Sequence, residues 1–378
     1  MAPSIPPGFP TEVISGDMAW VGAELETSPA LFDDYLSSDD ITEIEAAVKH
    51  FKGLELARGF ANPQTFPLSE ELASRLRAVT NHVYNGRGFH RIRGLDTSRY
   101  TEEERVIAYA GITSYVVDER ARNIGHEDHI RDRSFANPMG DKLKPLELAV
   151  SMSFHTDIDV GDMLSLFVQS TSLSGGEQYI ASISSMYNYI VKREPEVLKT
   201  LTDDWYWERS FRPEVNKEIT RAFDRPLLAF EDGHLQINFA ATFVGGNPAY
   251  NLSGDAPPLT PEQRRALAVI QEGAKATCLR LTPEPGDMIF INNYAMLHAR
   301  ATWTDSMGDV WKQRYVMRLW LHDSKKGWKS AVGLKRKLDE NFDLGPEAQG
   351  LLTGTEWNAL PRAMRVKEMG VSANDCHD

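Results

Sequence analysis

Three features of the sequence predict a mainly β fold decorated by helices. From about residue 149 onward, short apolar and aromatic runs recur between Gly and Pro turns. Two helical segments interrupt these runs, and nothing in their order suggests strands alternating with helices in a parallel sheet. The pattern is that of a β-sandwich or barrel core.

Residues 1–60 carry Pro3, Pro6, Pro7 and Pro10, then Asp33, Asp34, Asp39 and Asp40, which suggests a surface arm leading into a short helix near Ile41–Phe51. Ser69 is placed to cap a helix over Glu70–Tyr84, where Leu72, Leu76 and Val79 recur at the spacing of one buried helical face. Gly86 and Gly88 end it, and Phe89–Leu95 alternates apolar and polar residues as a strand does. Thr101 and Glu104 have the form of a capping box for a helix from Glu102 to Ala110 or slightly beyond.

Strand-like runs then follow at Ala149–Thr156, Met163–Ser170, Gln178–Ile183, Leu228–Phe230, Leu235–Phe239, Thr277–Leu281, Met288–Ile291 and Tyr315–Leu321. Helices are expected near Ser185–Arg193 and from Thr260, with Pro261 at the first helical position, Gln263 completing the cap and Gly273 as the stop. No repeat and no long linker divides the chain. The expected organisation is therefore an N-terminal arm over 1–60, one core domain over 61–325, and a C-terminal extension of the same domain over 326–378.

The charge balance narrows the function classes. Lys and Arg total 41 against 54 for Asp and Glu, a net −13 that disfavours nucleic acid and anionic lipid as partners. The 2 cysteines make no disulfide framework. The first residues lack a signal-peptide pattern and no long apolar run is present, so the expectation is a cytoplasmic protein acting on a small molecule. The oligomeric state is not legible.

Two fragments carry metal-ligand chemistry. In Ser153-Phe154-His155-Thr156-Asp157 the period of a strand sets His155 and Asp157 on one face. One further imidazole completes a 2-His-1-carboxylate triad, the ligand set of non-haem Fe(II) oxygenases. Pro285-Gly286-Asp287 turns into an apolar strand followed by Asn292, Asn293 and then His298. Arg314 and Arg318, four residues apart in an apolar stretch, need carboxylate partners if they point into a core.

Taken in order, His155-x-Asp157, Ser174-Gly175-Gly176-Glu177, Pro285-Gly286-Asp287 with Asn292-Asn293 and His298, and Arg314-x-x-x-Arg318 resemble the taurine dioxygenase and clavaminate synthase-like family of Fe(II)/2-oxoglutarate-dependent oxygenases. The likeness spans roughly Gly88 to Leu321. It implies a double-stranded β-helix (jelly roll), iron held by His155, Asp157 and His298, and Arg314 on the distal carboxylate of 2-oxoglutarate. Arg318 faces either cosubstrate or primary substrate. Gln178 stands where the family often has Thr, and its amide is able to donate to the same carboxylate. Three protein ligands leave three positions open, which the resemblance fills with 2-oxoglutarate and O2. The implied reaction releases succinate and CO2. It oxidises an unactivated C–H bond of an amino acid, another carboxylate or a natural-product intermediate by hydroxylation, desaturation or ring closure, as in secondary metabolism.

Several competing readings are open at this point. Asp159 and Asp162 rival Asp157 as ligand. His126-Glu127-Asp128-His129 lies in a charged, aperiodic stretch that reads as a solvated loop, or over 120–145 as a lid. Trp205-Tyr206-Trp207 reads as core, His234 as a hairpin-turn residue, and Gln236, Asn238 and Thr242 as candidates to reach the pocket. A catalytically silent jelly-roll ligand-binding protein is the alternative function, and a zinc hydrolase lacks an evident general base.

Overall fold

The computed structural model describes residues 5–121, 129–134, 148–207, 223–248, 256–331, 342 and 345–359. Among them, two largely antiparallel sheets face each other as a jelly roll. The larger runs in the order Asp33–Tyr35, Phe89–Arg93, Met288–Asn292, Met163–Ser170 and Tyr315–His322, with Glu119–Arg120 and His129–Arg131 both on the last of these. The smaller runs Leu279–Leu281, Gln178–Ser182, Met296–Arg300, Met152–His155.

Helices cover the outer faces. Glu70–Tyr84 and Glu102–Val116 pack behind the larger sheet, where the Tyr109 hydroxyl donates to Ser165 Oγ at 2.8 Å. Both begin as the sequence requires, with Ser69 Oγ accepting from Leu72 N and Thr101 and Glu104 capping each other reciprocally. Ile183–Arg193 and Pro261–Thr277 cover the smaller sheet. Two apolar clusters result, one behind each sheet. No helix among the described residues is long and apolar enough to cross a membrane.

The differences from expectation have local causes. Gly273 does not stop its helix, which continues to Thr277, because a bare Cα is needed there against Met186 and Tyr189. Phe89–Arg93 alternates in sequence yet is buried on both faces, since Arg91 and Arg93 are neutralised by Asp33 and Asp287 rather than hydrated. That also explains the Pro-Gly-Asp turn. Asp287 Oδ1 accepts from Arg93 Nε at 2.9 Å and Oδ2 from Glu284 N at 2.9 Å, and Gly286 has φ +94° with Leu95 O where a Cβ would sit. The N-terminal arm contributes an edge strand, Asp33–Tyr35, parallel to Phe89–Arg93, and its helix is longer than read, Ser38–Gly53.

His129 corrects the solvated-loop reading. It is buried on the strand His129–Arg131, with Nδ1 2.7 Å from the Tyr315 hydroxyl and Nε2 3.0 Å from Leu352 O. His126, Glu127, Asp128 and most of the 120–145 stretch lie outside the described residues. Trp205 and Trp207 are core, on a strand. His234 follows the left-handed pair Asp232 and Gly233 at a hairpin and stacks on Trp328.

Candidate metal centre

The two histidines arrive on neighbouring strands of the smaller sheet. His298 stands directly opposite His155 in the antiparallel register, so the pairing itself brings the rings to 4.2 Å between centroids. Asp157 comes by a different route from the one its spacing suggests, because the strand ends at His155 and Thr156 leaves the sheet. Thr156 N donates to Phe239 O at 2.7 Å and its hydroxyl accepts from Phe239 N at 2.9 Å. Asn293 then fixes the next residue: its Oδ1 accepts from Asp157 N at 2.9 Å, and its Nδ2 donates to Asp157 O at 2.7 Å and Gly161 O at 3.0 Å.

The outcome is convergence. Asp157 Oδ1 lies 3.9 Å from His155 Nε2 and 3.7 Å from His298 Nε2, and the three donor atoms fall within 4.8 Å of one another. His155 Nδ1 sits 2.8 Å from Ser153 O, which places the proton on Nδ1 and leaves Nε2 with its lone pair. Burial first, then the neighbouring His298, pulls the His155 imidazole down to about 3, so it stays neutral. The second Asp157 oxygen accepts from Trp320 Nε1 at 2.7 Å and Arg318 Nη1 at 3.2 Å. Two imidazoles and one oriented carboxylate are a donor set that fits Fe(II).

The rival ligands are committed elsewhere. Asp159 Oδ1 accepts from Arg225 Nη1 at 2.7 Å, and Asp162 Oδ1 lies 3.0 Å from His322 Nδ1. Gln236 is also occupied, donating to Lys329 O and accepting from Ala331 N, and neither it, Asn238 nor Thr242 lines the cavity at the triad.

That cavity runs between the sheets. Leu164, Leu166, Ile180, Ile291 and Val316 make its walls apolar, and Gln178, Arg300, Arg314 and Arg318 supply its polarity. Arg314 is buried over the Trp303 ring, and its Nε and Nη1 meet no hydrogen-bond partner among the described residues. Desolvation, then the like charge of Arg300, drives its pKa far down, against which Asp305 is the opposing charge. Gln178 is buried in the lining of the same cavity, with both amide atoms unpartnered among the described residues. A wall of donors without acceptors fits a carboxylate. Arg318 lines the same cavity, and its Nη1 also donates to Asp157 Oδ2 at 3.2 Å. Sequence reasoning passed over Trp320, read only as apolar, and Arg300, which donates to Val150 O at 2.9 Å and shares the Trp303 ring.

A jelly roll whose strands carry two imidazoles and a buried guanidinium, with one carboxylate brought to them by a loop, defines the class of non-haem iron oxygenases. The chain belongs to the "Taurine catabolism dioxygenase TauD, TfdA family", whose profile matches residues 50–320. It is 31% identical over 351 residues to a "Taurine hydroxylase-like protein SAT17" of Stachybotrys chartarum, covering 91% of this chain and 88% of that one. A "FR-33289 synthase" of Streptomyces rubellomurinus is 22% identical over 82% of this chain and 90% of its own. Among solved structures, asparagine oxygenase with Fe(II), 3-hydroxyasparagine and succinate superposes with a TM-score of 0.59 at 14% identity, over 80% of this chain and 99% of that one. The oxygenase OrfP with Fe, succinate and hydroxyarginine gives 0.56 at 13%, over 76% and 94%. The protein is therefore an Fe(II)/2-oxoglutarate-dependent dioxygenase, and the silent ligand-binding alternative is not favoured.

Proposed function

We propose that this oxygenase oxidises a C–H bond of a small amino-acid-like or other carboxylate-bearing metabolite in a cytoplasmic pathway of natural-product chemistry. His155, Asp157 and His298 hold the iron. Arg314, with Gln178 in the same cavity lining, binds the distal carboxylate of 2-oxoglutarate. Arg318 orients Asp157 through its second oxygen. The observation that carries the reading is the meeting of three ligand atoms within 4.8 Å at a cavity whose buried Arg314 awaits an anion. A relative named a taurine hydroxylase-like protein, and neighbours in fold solved with hydroxyasparagine and hydroxyarginine, support the substrate class.

When bound, iron with 2-oxoglutarate as reductant would activate O2, the oxidant for C–H cleavage. The chain supplies placement and dryness. Arg314 and Gln178 fix one end of the cosubstrate, the apolar walls exclude water, and Trp320 and Arg318 hold Asp157 to one donor oxygen. The test is a metabolite screen scored by succinate release, with product mass read afterwards: a gain of 16 daltons marks hydroxylation and a loss of 2 marks desaturation or ring closure. His155→Ala and Asp157→Ala abolish succinate release while leaving the fold, and either variant at the wild-type rate refutes the ligand assignment.

A further inference from the structure

We propose that Arg225 and Asp159 form a positioning pair that fixes the Asp157 carboxylate against the two imidazoles. The proposal rests on the reading of Asp157 as an iron ligand.

The loop from Thr156 to Asp162 is buried at every residue and carries three aspartates. Buried carboxylates are costly unless each meets a partner. Asp159 lies only two residues from Asp157, and in an extended chain the two side chains would share one face. Instead, Asp159 adopts φ +57°, a left-handed backbone in a residue that is not glycine. Such conformations persist where surrounding structure enforces them, and they gather at functional sites.

The enforcing group here is Arg225. Its Nη1 donates to Asp159 Oδ1 at 2.7 Å, with both side chains almost fully buried. Arg225 is itself firmly mounted. It ends the strand Phe223–Arg225, its guanidinium lies 4.4 Å from the Trp207 ring centre, and its carbonyl accepts from Trp207 Nε1 at 3.1 Å. Neither member of the pair lines the cavity. The pair therefore acts through the backbone: it sends the Asp159 carboxylate to Arg225 and leaves Asp157 alone facing the imidazoles, with Asn293 gripping the loop from the other side.

Co(II) affinity of the full chain, measured by calorimetric titration and by the d–d absorption band, reads this role separately from folding. Arg225→Met is expected to weaken Co(II) binding at least tenfold and to alter the band, in line with the effect of residues that orient metal ligands. Arg225→Lys recovers most of that affinity. Arg225→Met with a lowered melting temperature but wild-type Co(II) affinity overturns the proposal, because a merely structural pair would behave so. Should Arg225→Met fail to fold, Asp159→Asn decides. Asn tolerates the left-handed backbone but loses the charge, so weakened binding in folded protein supports the pair and unchanged binding overturns it. Wild-type Co(II) affinity in Asp157→Ala would instead refute the underlying ligand assignment, whatever Arg225 does.

Discussion

Replacing Arg314 by Met should make the cosubstrate-free protein more stable and the enzyme worse. The Arg314 guanidinium is buried, repelled by Arg300, and has two nitrogens without partners among the described residues. Met keeps the volume over Trp303 and removes the desolvated charge. Apolar replacement of buried ionic groups is neutral to stabilising by about 1–4 kcal/mol, and this site, where Asp305 is the opposing charge among the described residues, belongs toward the stabilising end. The cosubstrate side moves the other way. Truncating one partner of a desolvated charge pair costs about 2–5 kcal/mol, roughly 30-fold to several thousand-fold in 2-oxoglutarate affinity. Urea unfolding of the metal-free protein measures the first effect, and titration of 2-oxoglutarate into the Fe(II)-loaded enzyme under nitrogen measures the second. Unchanged 2-oxoglutarate affinity would refute the assignment of Arg314. A loss of stability by more than about 2 kcal/mol would show that the guanidinium is satisfied in the resting fold.

Three further outcomes follow from the same geometry. Trp320→Phe deletes the 2.7 Å hydrogen bond to Asp157 and should lower Fe(II) affinity about tenfold with little change in urea midpoint, as loss of a ligand-orienting partner does. Asn293→Ala removes three buried hydrogen bonds and should cost about 4–6 kcal/mol in urea unfolding, at about 1 kcal/mol each plus about 1–3 kcal/mol for an orphaned Asp157 N–H. His322 is lowered by burial but raised more by Asp162, with Glu119 and Asp118 adding to the rise, so its folded pKa lies above the unfolded value. Its stabilisation is therefore complete below about pH 6.5 and lost as pH rises through the raised folded pKa, so the gap in melting temperature between wild type and His322→Gln should shrink toward alkaline pH.

Much of this architecture is legible in the sequence because local rules and tertiary context agree. Ser69, Thr101 and Thr260 cap helices where their spacing says they should, and Met163–Ser170 is a strand over the range its apolar run marks. The triad is legible through ordered motifs, but strand period alone does not deliver Asp157: it reaches the imidazoles through a loop gripped by Asn293, not by continuing a strand. What stayed hidden depends on partners remote in the chain. Arg91 and Arg93 look solvent-facing until Asp33 and Asp287 are placed beside them. His129 looks hydrated until Leu352 and Tyr315 close over it. Trp320 reads as packing because one indole N–H carries no periodic signal.

The opposition of His155 and His298 has a mechanical consequence as well as a chemical one. Among the described residues Met152–His155 is the outermost ribbon of the smaller sheet, paired on one side with the ribbon that bears His298 and held on the other only at Phe154, by the Gln271 amide. A cation gripped by both imidazoles rivets that rim to its neighbour, much as a crosslink would. Amides along this rim should exchange with deuterium more slowly once the rivet is in place, so that iron loading tightens the very margin of the cavity in which it works.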